Sequence, residues 1–192
     1  MPRRSMRRRD LNKRGLVVTE GTVTEKQYVE SLAQHLRQSS AVISVTSVGV
    51  GKDPLEVVKK CIERREDAKR KQKAYHWCVC LVDRDKHTTI EAAGRLAASE
   101  EIILLVTNLK FEMWLLWHLV DVRSPQSTTE LDRLMIKHKL LQGKHLPLRF
   151  PIDKVHSAMK VAEAVDPNLA QGRVGPDPSS AIPILVQLML NS

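Results

Sequence analysis

Aromatic side chains make up only 4% of the 192 residues, which argues against a stacking platform for single-stranded nucleic acid. Cysteine is also scarce. Cys61, Cys78 and Cys80 are odd in number and form no metal-ligand spacing, so no disulfide framework or zinc cluster is read from them. A reducing cytoplasm fits that usage. The seven histidines show no H-x-x-x-H arrangement, which removes the common zinc pattern. Long apolar runs are missing too. "GLVV" behind the first arginines is too short for a secretory signal, and nothing elsewhere reaches membrane-spanning length. The expectation is a cytoplasmic protein without membrane contact. There is no internal repeat. The loop "GVGKDP" (49–54) lacks the full phosphate-loop spacing and has Asp53 where the hydroxyl residue should stand, so it reads as an ordinary loop before a capped helix.

Apolar residues reach 42% and charged ones 28%, ordinary values for a folded chain long enough for one domain. The net charge of +9 is uneven: residues 1–14 hold seven basic side chains and one acidic. This arm, with Arg7, Arg8 and Arg9, has two readings, a phosphate-binding extension or a solvated tail. Both stand.

Hydrophobic patterning gives alternating strands and helices. A strand is expected over 15–21 and a helix over 24–38, with Thr24 as N-cap and Tyr28, Leu32 and Leu36 on one face. A second strand follows over 41–48, and then a helix with Asp53 as N-cap and Pro54 as first residue. That helix turns polar on all sides in "ERREDAKRKQK", so its second half is expected to protrude, supported by Glu66–Arg70 and Asp67–Lys71 pairs. Strands over 76–82 and 101–107 enclose a helix near 89–99, and a buried helix over 111–120 takes Trp114 and Trp117 into the core. After the loop 121–130 only helices are read, near 129–142, 151–165 and 178–190. Such alternation predicts an α/β fold: a parallel four-stranded sheet flanked by helices. The order expected is 2-1-3-4, and if it holds, strands 1 and 3 are neighbours. Three parts are expected: the basic arm (1–14), the α/β core (15–120) and a helical C-terminal extension (121–192).

In such a sheet, sites form beyond the carboxyl ends of the strands where their order reverses. Strand 1 runs into Glu20 and strand 3 into "DRD", Asp83 and Asp85. Neighbouring strands lie roughly 4.8 Å apart, which would set these carboxylates side by side. Three close carboxylates repel and resist burial. A hard divalent cation, Mg²⁺ or alternatively Mn²⁺, relieves that conflict. A lone D-x-D also occurs as a plain helix cap; the acidic end of strand 1 is what favours the metal reading.

The stretches "VVTEGTVTEKQYVESL", "GKDPLEVV", "CLVDRDKH" and "TNLKFEMWLLWH", in this order and spacing, resemble the successive motifs of the RloB family, which includes AbiLii-type abortive-infection proteins. That family is similar in turn to the Toprim domain of topoisomerases, primases and OLD-type nucleases. The resemblance implies a Toprim-like core in which Glu20 matches the glutamate after strand 1 and Asp83 and Asp85 match the D-x-D. It implies Glu25 as a further metal ligand and Glu112 as a catalytic residue that would complete a second metal site with it, with Asn108 nearby. For both glutamates a first-turn dipole role is the alternative. Lys144 resembles a family lysine that would stabilise phosphate charge; a plain surface lysine is the other reading. Thr107, Leu109, Lys110, Lys86 and Gln142 depart from the family's pattern. His87 is expected to make only a local hydrogen bond. The activity implied is Mg²⁺-dependent cleavage of DNA or RNA (a tRNA, for instance) in phage defence, with an ATPase encoded nearby as partner. Lys52, Arg64 and Arg65 would meet phosphates. A homo-oligomer stays open. So do a non-catalytic nucleic-acid-binding subunit and a nucleotidyl enzyme using the same carboxylates.

Overall fold

A computed structural model describes residues 13–38, 43–51, 53–84 and 89–191. The elements run β1 (Lys13–Thr19), α1 (Thr24–Gln38), β2 (Ile43–Gly49), α2 (Pro54–Arg70), β3 (Trp77–Asp83), α3 (Ile90–Ser99), β4 (Ile103–Asn108), α4 (Phe111–Leu116), α5 (Thr128–Lys137), a 3₁₀ turn (Ile152–Lys154), α6 (Val155–Val165), β5 (Ser179–Ser180) and α7 (Ile182–Leu190). One sheet has the order β2-β1-β3-β4-β5. Its first four strands are parallel, in the expected order, and β5 pairs antiparallel with β4.

The strands are apolar almost continuously because both faces are covered. Val17, Val79, Leu81 and Leu105 point to the face covered by α1 and α4 to α7, where Tyr28, Leu32, Trp114 and Trp117 are buried. Their neighbours Leu16, Val18, Cys78, Cys80 and Leu104 point to the other face, onto Val57, Val58 and Cys61 of α2 and Ala93 and Ala97 of α3. The two-residue period of a strand sorts one sequence into two cores. All three thiols pack in the second core. Hydrogen bonding to Cys61, with burial, raises the Cys78 pKa and keeps its thiol protonated.

Several expectations need correction. The sheet has five strands and is mixed. Residues 178–190 are not one helix: Ser179 and Ser180 pair with Asn108 and Thr107, the Ala181 amide donates to the Val106 carbonyl at 3.1 Å, and α7 starts only at Ile182. Pro178 cannot donate within a helix and Ser-Ser is a weak helix former, whereas the β4 edge offers partners. Lys13 and Arg14, counted with the arm, already belong to β1. Thr24 is not a cap but the first helical residue, and its hydroxyl donates to the Lys144 carbonyl at 2.7 Å. α4 stops at Leu116 and α5 at Lys137.

The second half of α2 does not protrude. Ala68 is buried, and Arg65 reaches α3's end, donating to the Glu100 carbonyl at 2.6 Å and to its Oε2 at 2.5 Å. The ion pairs there are Arg65–Glu66 and Arg70–Asp67 instead of the i,i+4 pairs expected. Asp53 caps α2 as expected, accepting from the Leu55 and Glu56 amides at 3.0 and 3.3 Å. Among the described residues no helix is long and apolar enough to cross a membrane.

Candidate carboxylate site

The carboxyl ends of β1 and β3 lie side by side where the chain turns from β2-β1 to β3-β4. Glu20 follows β1 directly. Its amide donates to the Leu81 carbonyl at 3.0 Å, and its carbonyl accepts from the Gly51 amide at 2.7 Å. Both ends of its peptide are therefore pinned, one to β3 and one to the loop after β2. The carboxylate then turns to β3, where Oε2 accepts the Asp83 amide at 3.3 Å. Asp83 is the last residue of β3 and lies opposite Thr107 of β4.

Two acidic residues from other elements complete the group. Glu25 lies in the first turn of α1 and Glu112 in the first turn of α4. Gly21 makes room for the former: a Cβ there would fall 1.8 Å from Glu25 Oε2. Only glycine lets the backbone approach so closely.

The electrostatics show that the four carboxylates share one environment. Enclosure raises the Asp83 pKa well above the ordinary carboxylate range, and Glu25, Glu112 and Glu20 push it further, while the Phe111 amide opposes. Enclosure likewise raises Glu25, against the pull of its own backbone amide, with Glu112 and Glu20 adding repulsion. This is like-charge crowding in a sheltered cleft. Such a set of oxygen donors fits a hard divalent cation, Mg²⁺ or Mn²⁺. Among the described residues, however, no three acidic, histidine or cysteine side chains are gathered closely enough to hold a metal ion in this conformation.

The other expected residues fall in several places. Asp85 lies outside the described residues, as do Lys52, Lys86, His87, Arg7, Arg8 and Arg9. Lys144 is exposed on a short hairpin whose backbone is tied to α1 beside Glu25. Arg64 is exposed on α2, whereas the Arg65 guanidinium is taken up by Glu100 and Glu66. Asn108 turns away from the carboxylates, donating to the Gly175 and Pro176 carbonyls at 3.1 and 3.0 Å. Thr107 meets the Ser180 hydroxyl at 3.2 Å.

Sequence reasoning missed two contributors. The role of Gly21 was signalled only by its place one residue after Glu20. The Phe111 amide on Asp83 has no signal in a side-chain reading, because it is a backbone donor at a helix start.

An α/β protein with acidic residues converging at its topological switch point is thus defined. The model of the RloB-like protein family matches residues 15–189, and the chain belongs to that family. No curated protein and no solved structure matches it.

Proposed function

We propose that this protein is a divalent-metal-dependent nuclease with a Toprim-like core, acting in the cytoplasm in defence against phage. The observation that carries this is the convergence of Glu20, Glu25, Asp83 and Glu112 from four separate elements, with Asp83 and Glu25 both raised, first by burial and then by the neighbouring carboxylates. A structural role does not call for four acidic side chains brought from separate elements into one partly buried region. Neutralisation by a bound cation accounts for them.

In this reading Glu20, Asp83 and Asp85 would hold Mg²⁺, and Glu25 and Glu112 would complete a second position. The metal would supply charge neutralisation and an activated water. Hydrolysis joins a water oxygen to phosphorus and breaks the phosphorus–oxygen bond to one sugar, and a proton must reach the leaving oxygen. The burial that raises the Glu25 pKa, with Glu112 and Glu20 adding to it, suits it to a proton-carrying role. Glu20 is the alternative acid or base. Lys144 would meet developing phosphate charge. An ATPase encoded nearby is the proposed partner, restraining the nuclease until infection.

The test is cleavage of duplex DNA, single strands and total tRNA with Mg²⁺ or Mn²⁺ against EDTA, for wild type beside Asp83→Asn. Metal-dependent products from the wild type alone are expected. A second reading, a nucleic-acid-binding subunit without turnover, draws on the absence of a closed three-ligand group among the described residues. It predicts salt-dependent binding and no product under any metal.

A further inference from the structure

We propose that the lobe between α5 and α6, residues 133–149, is the surface that holds the nucleic-acid backbone beside the carboxylates. This rests on the nucleic-acid reading above and assigns that reading's binding face.

The charge pattern is one-sided. Between Asp132 and Asp153 stand Arg133, Lys137, Lys139, Lys144 and Arg149, with His138 and His145 and no acidic residue. The structure leaves Arg133, Lys137, Lys139, Lys144 and Arg149 all exposed. Lys137, Lys139, Lys144 and Arg149 enter no ion pair among the described residues. α2 is different, although it looks equally basic in sequence. There four of the helix's six cations are paired, Lys59 with Glu56, Lys60 with Glu63, Arg65 with Glu66 and Glu100, and Arg70 with Asp67. Cations already paired offer a polyanion little, whereas unpaired ones release counterions when phosphates bind.

The lobe is also fixed against the site. Gln142 and His145 close a tight hairpin through amide–carbonyl bonds of 2.8 and 3.1 Å. The Lys144 carbonyl takes the Thr24 hydroxyl at 2.7 Å. Gln27 Oε1 accepts the Leu146 amide at 3.0 Å, and its Nε2 lies 3.0 Å from His145 Nδ1. Thr24 and Gln27 flank Glu25 in the first turn of α1, so the hairpin and the carboxylates share one mount. Ile136 and Leu148 stand exposed among the cations, apolar surface suited to sugar or base edges. With no exposed aromatic on the lobe to stack on bases, binding there is expected to engage mainly phosphate and to be indifferent to sequence.

The experiment measures binding of the full-length chain to a fluorescent duplex, a single-stranded DNA and a tRNA in EDTA across a salt series. The variant carries Lys137→Gln, Lys139→Asn, Lys144→Gln and Arg149→Gln; asparagine is used at 139 because that backbone has φ of 53°. The log–log salt slope is expected to fall by about three to four, near one for each phosphate that a removed cation would have neutralised. Affinity at fixed salt should weaken by about tenfold or more. Lys59→Gln with Lys60→Gln on α2, both already paired with glutamates, should change it less than twofold. The half-variants Lys137→Gln/Lys139→Asn and Lys144→Gln/Arg149→Gln serve if the fourfold one unfolds. Unchanged affinity and slope would overturn the assignment, as would a lobe that binds phosphatidylglycerol vesicles and no nucleic acid. Lobe-dependent binding without cleavage would leave this surface standing and sink the nuclease reading. Cleavage that ignores the lobe would do the reverse.

Discussion

The Glu20 carboxylate accepts the backbone amide of Asp83 at 3.3 Å. One acidic side chain is thereby held by the residue that bears the next, and β1 cannot slide on β3 without opening the site. The bond holds Glu20 toward the negative charges that oppose it. Fold and function therefore pull in opposite directions here, as preorganised sites often do.

Asp83→Asn should stabilise the metal-free protein while abolishing metal-dependent activity. The raised pKa of Asp83 means that its ionised form is disfavoured in the folded state, first by burial and then by the neighbouring carboxylates, so an uncharged asparagine removes that cost above the ordinary carboxylate range. A gain on the order of 1 kcal/mol, or about 2–4 °C in melting temperature, is expected in EDTA. Added Mg²⁺ should raise the wild-type melting temperature and leave the variant's unchanged. A variant that melts lower than wild type in EDTA would speak against crowding.

Gly21→Ala separates positioning from stability. The added Cβ would fall 1.8 Å from Glu25 Oε2, so the Glu25 carboxylate must swing out of the cleft. Cleavage should fall by about tenfold or more while the melting temperature moves only a few degrees, because a half-buried side chain has somewhere to go. If Gly21→Ala cuts normally, Glu25 is not part of the machinery.

The sheet was legible because parallel strands buried on both faces read as apolar runs, whereas their order was assumed, since alternation with helices gives parallel pairing and not which strands are neighbours. Glu20 and Asp83 were legible because both end such runs. β5 was not, since two serines after a proline carry no strand pattern and pair only because the edge of β4 is there to receive them. The fate of α2's charges was equally hidden. Arg65 and Glu100 are 35 residues apart, and no local rule joins them. The basic stretch 133–149 stood in plain view, but its value depended on partners that only the fold could show to be missing.

Stability should fall on acidification through His118. The ring is buried among Tyr28, Trp114 and Phe150, with Nδ1 3.1 Å from the Trp114 carbonyl and Nε2 3.2 Å from the Tyr28 hydroxyl. A carbonyl only accepts, so Nδ1 carries the proton and Nε2 accepts from tyrosine. Burial lowers its pKa to about 4. The unfolded chain binds a proton near pH 6.5 and the folded one does not, so this contribution is full above pH 6.5 and is lost as pH falls toward 4. The loss is roughly 3 kcal/mol by linkage. His118→Phe should flatten urea-derived stability across that window, while lowering it at pH 8 by about 1–2 kcal/mol for the orphaned tyrosine hydroxyl. An unaltered pH slope would show that other groups control acid unfolding.

The tether between α1 and the hairpin can be tested apart from any charge. Thr24→Val keeps the shape of the side chain and removes the bond to the Lys144 carbonyl. Gln27→Leu removes the acceptor for the Leu146 amide and the hydrogen bond with His145. Each should cost about 1 kcal/mol. Together they should raise amide hydrogen exchange at Lys144 to Leu146 while leaving the β1 and β3 amides protected, because the hairpin would open locally without unfolding the sheet. The double variant keeps every cation of the lobe but no longer fixes where they stand. If the hairpin's role is placement, cleavage should lose more than binding does. Equal losses in the two would mean that the lobe supplies attraction alone, and that its position beside Glu25 has no part in the chemistry.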